Sequence, residues 1–168
     1  IIANVVALDA HARGRSWRDT TDALLAFWDF AAAFPSVAQA WLLFVCRWVG
    51  MPQGFMNLIE ALYSFTRTIC PITRRTLMHV IAGILQGCPM SGLLFTIIID
   101  PFYGELKQKV DDSNAGITRG CADDIGMVLQ TRMGLVTVFD TFKFARALAN
   151  LDLATYKCAV SYTHLRAN

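Results

Sequence analysis

"GITRGCADDIGMVLQ", residues 116–130, decides the fold. It reads as strand, tight turn, strand: short apolar runs on either side of a polar break. The break holds two neighbouring acids, Asp123 and Asp124. Like charges repel, and burying either carboxylate is costly. The ordinary reading of an Asp-Asp pair is a solvated turn. That reading suits a second pair, Asp111 and Asp112 in "KVDDSNAG", which lies among Ser, Asn and Gly. At 123 the acids interrupt a stretch that is hiding from water, so the neighbouring elements must supply their purpose.

Upstream, "ALLAFWDF" (residues 23–30) is another short apolar run, a buried strand that ends on an acid, Asp29. "SVAQAWLLFVCRWVG" predicts a helix with Ser36 as cap and Gly50 as stop. "PQGFMNLIEALYSF" predicts a second, with Phe55, Ile59, Leu62 and Phe65 on one face. "TRTIC" and "RTLMHVIAG" form a candidate hairpin around Pro71. "LQGCPMSG" is a turn-rich loop leading into "LLFTIIID", and Asp100-Pro101 is suited to cap and start a further helical piece. Downstream, apolar residues 135, 139, 142, 145 and 148 mark a helix, and "KCAV" a last short strand. Residues 1–20 read as a helix end plus a loop. Strands thus interleave with helices, and an α/β (α+β) domain follows: an antiparallel-rich sheet with helices packed on one face.

Composition narrows the class. A chain of 168 residues is one domain or part of one. A hydrophobic share of 55% against 17% charged leaves ample core and excludes disorder. The net charge of +2 is too small to argue for nucleic acid by itself, and the arginines at 13, 15, 18 and at 67, 74, 75 read as solvated faces. Five cysteines, at 46, 70, 88, 121 and 158, show no CxxC or Cys/His spacing, which argues against zinc. Apolar neighbours make Cys46, Cys121 and Cys158 buried, reduced thiols, and an intracellular location follows. Ile1 in place of Met suggests a fragment or a processed product. Residues 23–46 carry one charge in a length that spans a bilayer, which gives a membrane-protein reading. Asp29 and Pro35 stand against it, since a central Asp costs roughly 2.5–3.5 kcal/mol on insertion.

Three sites share one logic: Asp29 at a strand end, Gln86-Gly87-Cys88-Pro89-Met90-Ser91 before a helix, and Asp123-Asp124 in a turn. "FWDFAAAFPSV", "LQGCPMSGLLF" and "CADDIGMVL" resemble the A, B and C motifs of reverse transcriptases, nearest in character to the non-LTR retrotransposon and group II intron branch. "LANLDLATYKCAV" resembles the D motif that follows, with Lys157 as its lysine. The resemblance covers residues from about 5 to 160. "QGCPxSxLLF" is its most specific element.

The resemblance implies a polymerase palm over 21–162, with part of the fingers at about 37–85. It makes 1–20 a connector from missing fingers, and the fingers and thumb are incomplete. The last residues, 163–168, resemble foreign adaptor sequence. It implies RNA-directed DNA polymerase chemistry in the complete parent, with Mg²⁺ or Mn²⁺ as cofactor and an RNA template, DNA primer and deoxynucleoside triphosphates as partners. Asp29 and Asp123 become the main metal ligands, supported by Asp124 and the backbone carbonyl of Phe30. Divalent ions turn clustered acids from a liability into a binding site. Phe34 becomes a gate against the ribose 2′-hydroxyl. Gln86, Gly87, Pro89 and Ser91 become nucleotide- and template-binding residues, and Lys157 a group serving the leaving pyrophosphate. Pro35, Gly92, Cys121 and Asn150 depart from the usual pattern, and none removes a metal ligand. The alternative from another class is a catalytically inactive, nucleic-acid-binding palm remnant. A eukaryotic retroelement would place the protein in the nucleus.

Overall fold

The computed structural model describes residues 2–16, 23–64 and 66–162. Helix α1 spans Ile2–Ser16 and strand β1 Leu24–Trp28. A single turn, α2 (Ala33–Ser36), leads into α3 (Gln39–Trp48) and α4 (Gln53–Tyr63). Strands β2 (Arg67–Ile69) and β3 (Thr76–His79) make the hairpin, and α5 spans Ser91–Lys107. A π-helical turn over Gln108–Asp112 precedes β4 (Gly116–Cys121) and β5 (Asp124–Leu129). Helix α6 (Met133–Ala149) and β6 (Ala159–Tyr162) close the chain's described part.

The main sheet is antiparallel throughout, in the order β4-β5-β1-β6. Side chains alternate across it, as the period of two requires. Leu24, Ala26 and Trp28 of β1 join Ile125, Met127 and Leu129 of β5 in the large core, with α5 and α6. Leu25 and Val128 point the other way and meet Leu8 and Ala12 of α1. The helical layer expected on one face is therefore joined by one helix on the opposite face. Gly126 permits this: a Cβ there would lie 2.5 Å from Leu8 Cδ1.

Several sequence expectations shift in register. Ser36 ends α2, its hydroxyl donating to the Ala33 carbonyl, and α3 begins only after Ala38. Gly50 does close α3, at a left-handed φ of +72°. On α4 the buried stripe is Met56, Ile59 and Tyr63, with Phe55 and Leu62 beside it; Phe65 lies outside the described residues. On α6 it is Val138, Phe142, Ala145 and Ala149, while Phe139 and Leu148 are exposed. Asp100 caps nothing: α5 runs unbroken through Pro101. Its buried face, Phe95, Ile98, Phe102 and Leu106, continues across the proline and holds the helix together. The Trp41 indole donates to the Ile98 carbonyl at 3.0 Å, next to the carbonyl that Pro101 leaves without a donor.

One further expectation is overturned, and the membrane alternative finds no support. Cys121 is exposed at the end of β4, where the hairpin turns, while Cys46 is buried. The apolar stretch 23–46 is cut into β1, α2 and α3, after Trp28 and again at Val37-Ala38, and among the described residues no helix is long and apolar enough to cross a membrane.

Candidate active site

The register of β1 on β5 brings the acids together. Trp28 pairs with Ile125, so Asp29, one residue on, falls level with Asp124, the first residue of β5. Asp123 sits beside it in the two-residue turn between the paired Cys121 and Asp124. The backbone of Asp29 is tied from the other side. Its carbonyl accepts the Ala154 amide, and Ala31 donates to the Asp152 carbonyl, both at 2.8 Å. A turn from Ala154 to Lys157 (2.8 Å) then carries the lysine over the strand end. Lys157 Nζ lies 3.0 Å from Asp29 Oδ2, with the Asp29 side chain 25% exposed. The hydrogen bond to Asp29, then the charge of Asp29, hold the Lys157 ammonium above its ordinary pKa, and Asp123 acts in the same direction.

An open cleft of about 500 Å³ surrounds these groups. Asp29, Phe30, Ala32, Ala33, Phe34, Pro35, Gln86, Gly87, Ser91, Asp123, Asp124 and Lys157 line it. Nine of the ten residues singled out from sequence thus share one cavity. The tenth, Pro89, is exposed in the loop and lies outside the lining. Their manner of presentation differs. The Phe30 ring is buried against Phe142 (5.7 Å, edge-on), so its main chain is what the cleft meets. Phe34 is half-buried and stacks on Phe95 at 4.6 Å. The hydroxyl of Ser91 donates to the Leu85 carbonyl and its amide to the Cys88 carbonyl (3.0 Å), closing the 85–91 loop on itself. Gly87 takes φ +83°, a conformation open to glycine at little cost.

The loop is wired to the strand end by backbone. Ile84 donates to the Phe34 carbonyl (2.8 Å) and Gly83 to the Val37 carbonyl (2.7 Å). Gly83 has φ +97°, and a Cβ there would stand 3.0 Å from the Pro35 carbonyl oxygen. Two alanines are left-handed: Ala32, which lines the cleft, at φ +48°, and Ala122, next to Asp123 in the hairpin turn, at φ +55°. Each such residue costs about 1–2 kcal/mol relative to a right-handed one, and strain of this kind gathers at functional sites. No sequence signal marked either alanine.

The chemistry of the donor set suits a hard divalent cation, which prefers carboxylate oxygens. Among the described residues, however, no three His, Cys, Asp or Glu side chains are gathered closely enough to hold a metal ion. The Lys157 ammonium is the cation that answers Asp29 here.

The profile of the reverse transcriptase (RNA-dependent DNA polymerase) family matches residues 4–166. The chain belongs to that family. It is 27% identical over 135 residues to the "Retrovirus-related Pol polyprotein from type-2 retrotransposable element R2DM" of Drosophila melanogaster, covering 77% of this chain and 13% of the relative. It is 29% identical over 133 residues to the Pol polyprotein of the type-1 element R2 of Bradysia coprophila, covering 77% and 15%. The chain spans about a seventh of the length of these relatives. Among solved structures, apo telomerase of Candida tropicalis superposes with a TM-score of 0.62 at 14% identity, over 89% of this chain and 33% of that one. Telomerase of Candida albicans, in complex with a TWJ fragment of telomeric RNA, gives 0.65 at 10%, over 92% and 30%. These likenesses show a reverse transcriptase fold.

Family membership leaves two structural residues that the sequence reading missed. Asp111, assigned to a solvated loop, accepts the Thr118 amide at 2.6 Å and pairs with Arg119 at 3.3 Å, bracing β4. Asn150 ends α6 in the left-handed conformation (φ +58°) and donates to the Ser36 carbonyl at 2.8 Å. The 36–38 segment beneath Phe34 is thereby fastened to α6. The departure from the family pattern at 150 marks the position and not the bond.

Proposed function

We propose that this chain is the palm of an RNA-directed DNA polymerase, joining deoxynucleotides to a primer 3′-hydroxyl on an RNA template. One observation carries the reading. Asp29 and Asp123-Asp124 come from antiparallel neighbours in one sheet and face a single cleft with Phe34, Gln86, Gly87 and Lys157. Phosphoryl transfer asks for positioning and charge stabilisation more than covalent chemistry, and this cleft supplies both. Asp29 and Asp123, with Asp124 and the Phe30 carbonyl, are the groups that would hold Mg²⁺ or Mn²⁺, whose chemistry is to activate the attacking oxygen and stabilise the leaving one.

The chain's own residues do the rest. The αL turn at Ala32 leads into the segment that stacks Phe34 on Phe95 and sets it in the cleft lining, where its ring would meet a bound sugar. Gly87 lets the backbone approach the base pair closely. Lys157 holds a proton at Nζ, charged and available to a leaving phosphate once it parts from Asp29. In this reading 21–162 form the palm, 37–85 contribute to the fingers, and 1–20 connect. The parent acts inside the cell, in the nucleus where the element is eukaryotic.

The test is primer extension on an RNA template by the parent polypeptide carrying this segment. Asp123→Asn should abolish incorporation, by a factor on the order of 10³ or more, while leaving the melting temperature unchanged. Incorporation that survives Asp123→Asn would refute the assignment. A second reading, an inactive palm that still binds nucleic acid, is favoured by the Lys157 ammonium that pairs with Asp29. It predicts template binding without extension in either Mg²⁺ or Mn²⁺.

A further inference from the structure

The β2–β3 hairpin does something the core does not need. Every residue of both strands is exposed, on both faces of the ribbon. Its apolar side chains are left in water: Ile72 is 90% exposed, and Leu77 and Met78 are also open. An isolated two-stranded ribbon is marginal by itself, so a structure kept in this form is kept for a contact.

Its charge says what kind. From Ala61 to Ile99 the sequence holds no Asp or Glu. The only Lys or Arg there are Arg67, Arg74 and Arg75, all on the hairpin and all exposed. None of them forms an ion pair with a described residue. Arg67 stands opposite His79 on one face of the ribbon. Arg74 and Arg75 are at the tip, where the Arg74 amide donates to the Cys70 carbonyl and the Cys70 amide to the Arg75 carbonyl, both at 2.9 Å. Arg74 is held at φ +57°, a strained value for a side chain of its size.

The ribbon is also coupled to the cleft. Val80 donates to the Thr66 carbonyl at its base (2.9 Å) and Gln39 to the Ile81 carbonyl (3.0 Å). Three residues on, Gly83 and Ile84 make the bonds to Val37 and Phe34 already described. No free strand end or long linker separates the hairpin from the catalytic loop.

We infer that the β2–β3 hairpin is a phosphate-gripping arm that holds a nucleic-acid duplex beside the cleft through Arg67, Arg74 and Arg75. Uncompensated arginines match a polyanion, which binds by neutralising phosphates and releasing counterions. Residues 66–81 contain no Phe, Tyr or Trp on which an unpaired base would stack. That favours the backbone of a paired duplex over a single strand, and contact without sequence preference. This inference rests on the polymerase reading only for the source of the duplex, a template–primer hybrid.

The test is fluorescence anisotropy with a labelled RNA–DNA hybrid and, separately, single-stranded RNA, from 50 to 300 mM salt, without divalent metal. The chain is compared with Arg74→Gln/Arg75→Gln and with Arg67→Gln, each verified by thermal unfolding. The tip double variant should bind the hybrid about tenfold more weakly at 0.1 M salt, with the salt slope reduced by about 2. Arg67→Gln, away from the strained tip, should reduce the slope by about 1. Binding of the hybrid by both variants at wild-type strength and slope overturns the inference and leaves the polymerase reading standing. Loss confined to single-stranded RNA overturns the duplex assignment. Self-association abolished by Ile72→Asp, with no arginine effect on hybrid binding, would make the ribbon a protein contact instead. No hybrid binding by the unaltered chain overturns the inference too, and primer extension by the parent then judges the active-site reading separately.

Discussion

Lys157 Nζ and Asp29 Oδ2 are 3.0 Å apart, joined across 128 positions of sequence at the mouth of the cleft. The lysine stands where a carboxylate that serves a divalent ion has to receive it. The ammonium repels a second cation at the same carboxylate, so ion binding at Asp29 competes with this ion pair. Lys157→Met should therefore tighten Mn²⁺ binding, by about three- to tenfold at low salt, following the Coulomb energy of a partly exposed pair. Electron paramagnetic resonance of free Mn²⁺ measures this without any turnover. Unchanged or weaker Mn²⁺ binding in Lys157→Met would show that Asp29 is not a ligand. In the parent polymerase the same variant should lose activity, because the charged group that parts from Asp29 is no longer there for the leaving phosphate.

Phe34 stacks on Phe95 at 4.6 Å and borders the cleft as well. The proposed gate role and the packing role separate by substitution. Phe34→Ala removes ring volume where the proposed function puts the sugar, and takes a stacked partner from Phe95. Discrimination between deoxy- and ribonucleotides should fall by a factor of about ten or more, each ~1.4 kcal/mol of lost transition-state preference being tenfold. Phe34→Tyr should change discrimination little. The measurement is kcat/KM for both nucleotide types in the parent polymerase. Phe34→Ala with discrimination intact and activity retained would make Phe34 a packing residue alone.

What the sequence made legible follows physical period. The strand–turn–strand at 116–130 and the strand ending at Asp29 were readable because short apolar runs broken by acids have few other solutions. Their convergence was readable through motif resemblance, and the β1–β5 register supplies its mechanism. Helix faces were read one residue wrong on α6, because Phe139 and Phe142 both look like core until the helix's rotation against the sheet is known; Phe139 stays exposed although it meets Trp28 edge to face at 5.3 Å. Asp100-Pro101 looked like a start because local capping rules ignore tertiary burial, which carried α5 past the proline. Polar bonds between elements, Asp111 to Thr118 and Asn150 to Ser36, left no trace in composition.

Asn150 gives the simplest test of such a bond. It supplies a left-handed helix end and a 2.8 Å donation to Ser36. Asn150→Gly keeps the conformation and loses only the side-chain bond, so it should cost about 0.5–1.5 kcal/mol. Asn150→Ala loses both, and should cost about 1 kcal/mol more. Urea unfolding of the two variants checks the order. Equal losses would mean that the left-handed turn carries no strain worth relieving.

Asp111 and Asp112 are neighbours of the same type with different expected consequences. Asp111 accepts the Thr118 amide at 2.6 Å and faces the Arg119 guanidinium at 3.3 Å, with its side chain 17% exposed. Asp112 is exposed and has no such partners among the described residues. Asp111→Ala leaves the Thr118 amide and the guanidinium to find other acceptors, at a cost of about 1–3 kcal/mol. Asp112→Ala should fall within about 0.5 kcal/mol of the parent chain. The damage should also travel. Thr118 and Arg119 lie on β4, four or five residues before Asp123, and the β4–β5 register is what sets the Asp123 turn beside Asp29. Mn²⁺ affinity should therefore weaken in Asp111→Ala and stay the same in Asp112→Ala, although neither acid lines the cleft. Amide exchange would locate the cause: faster exchange at Thr118 and along β4 in Asp111→Ala, with β1 and β6 unaffected. A stability loss with metal binding unchanged would show that the turn holds its place without the brace.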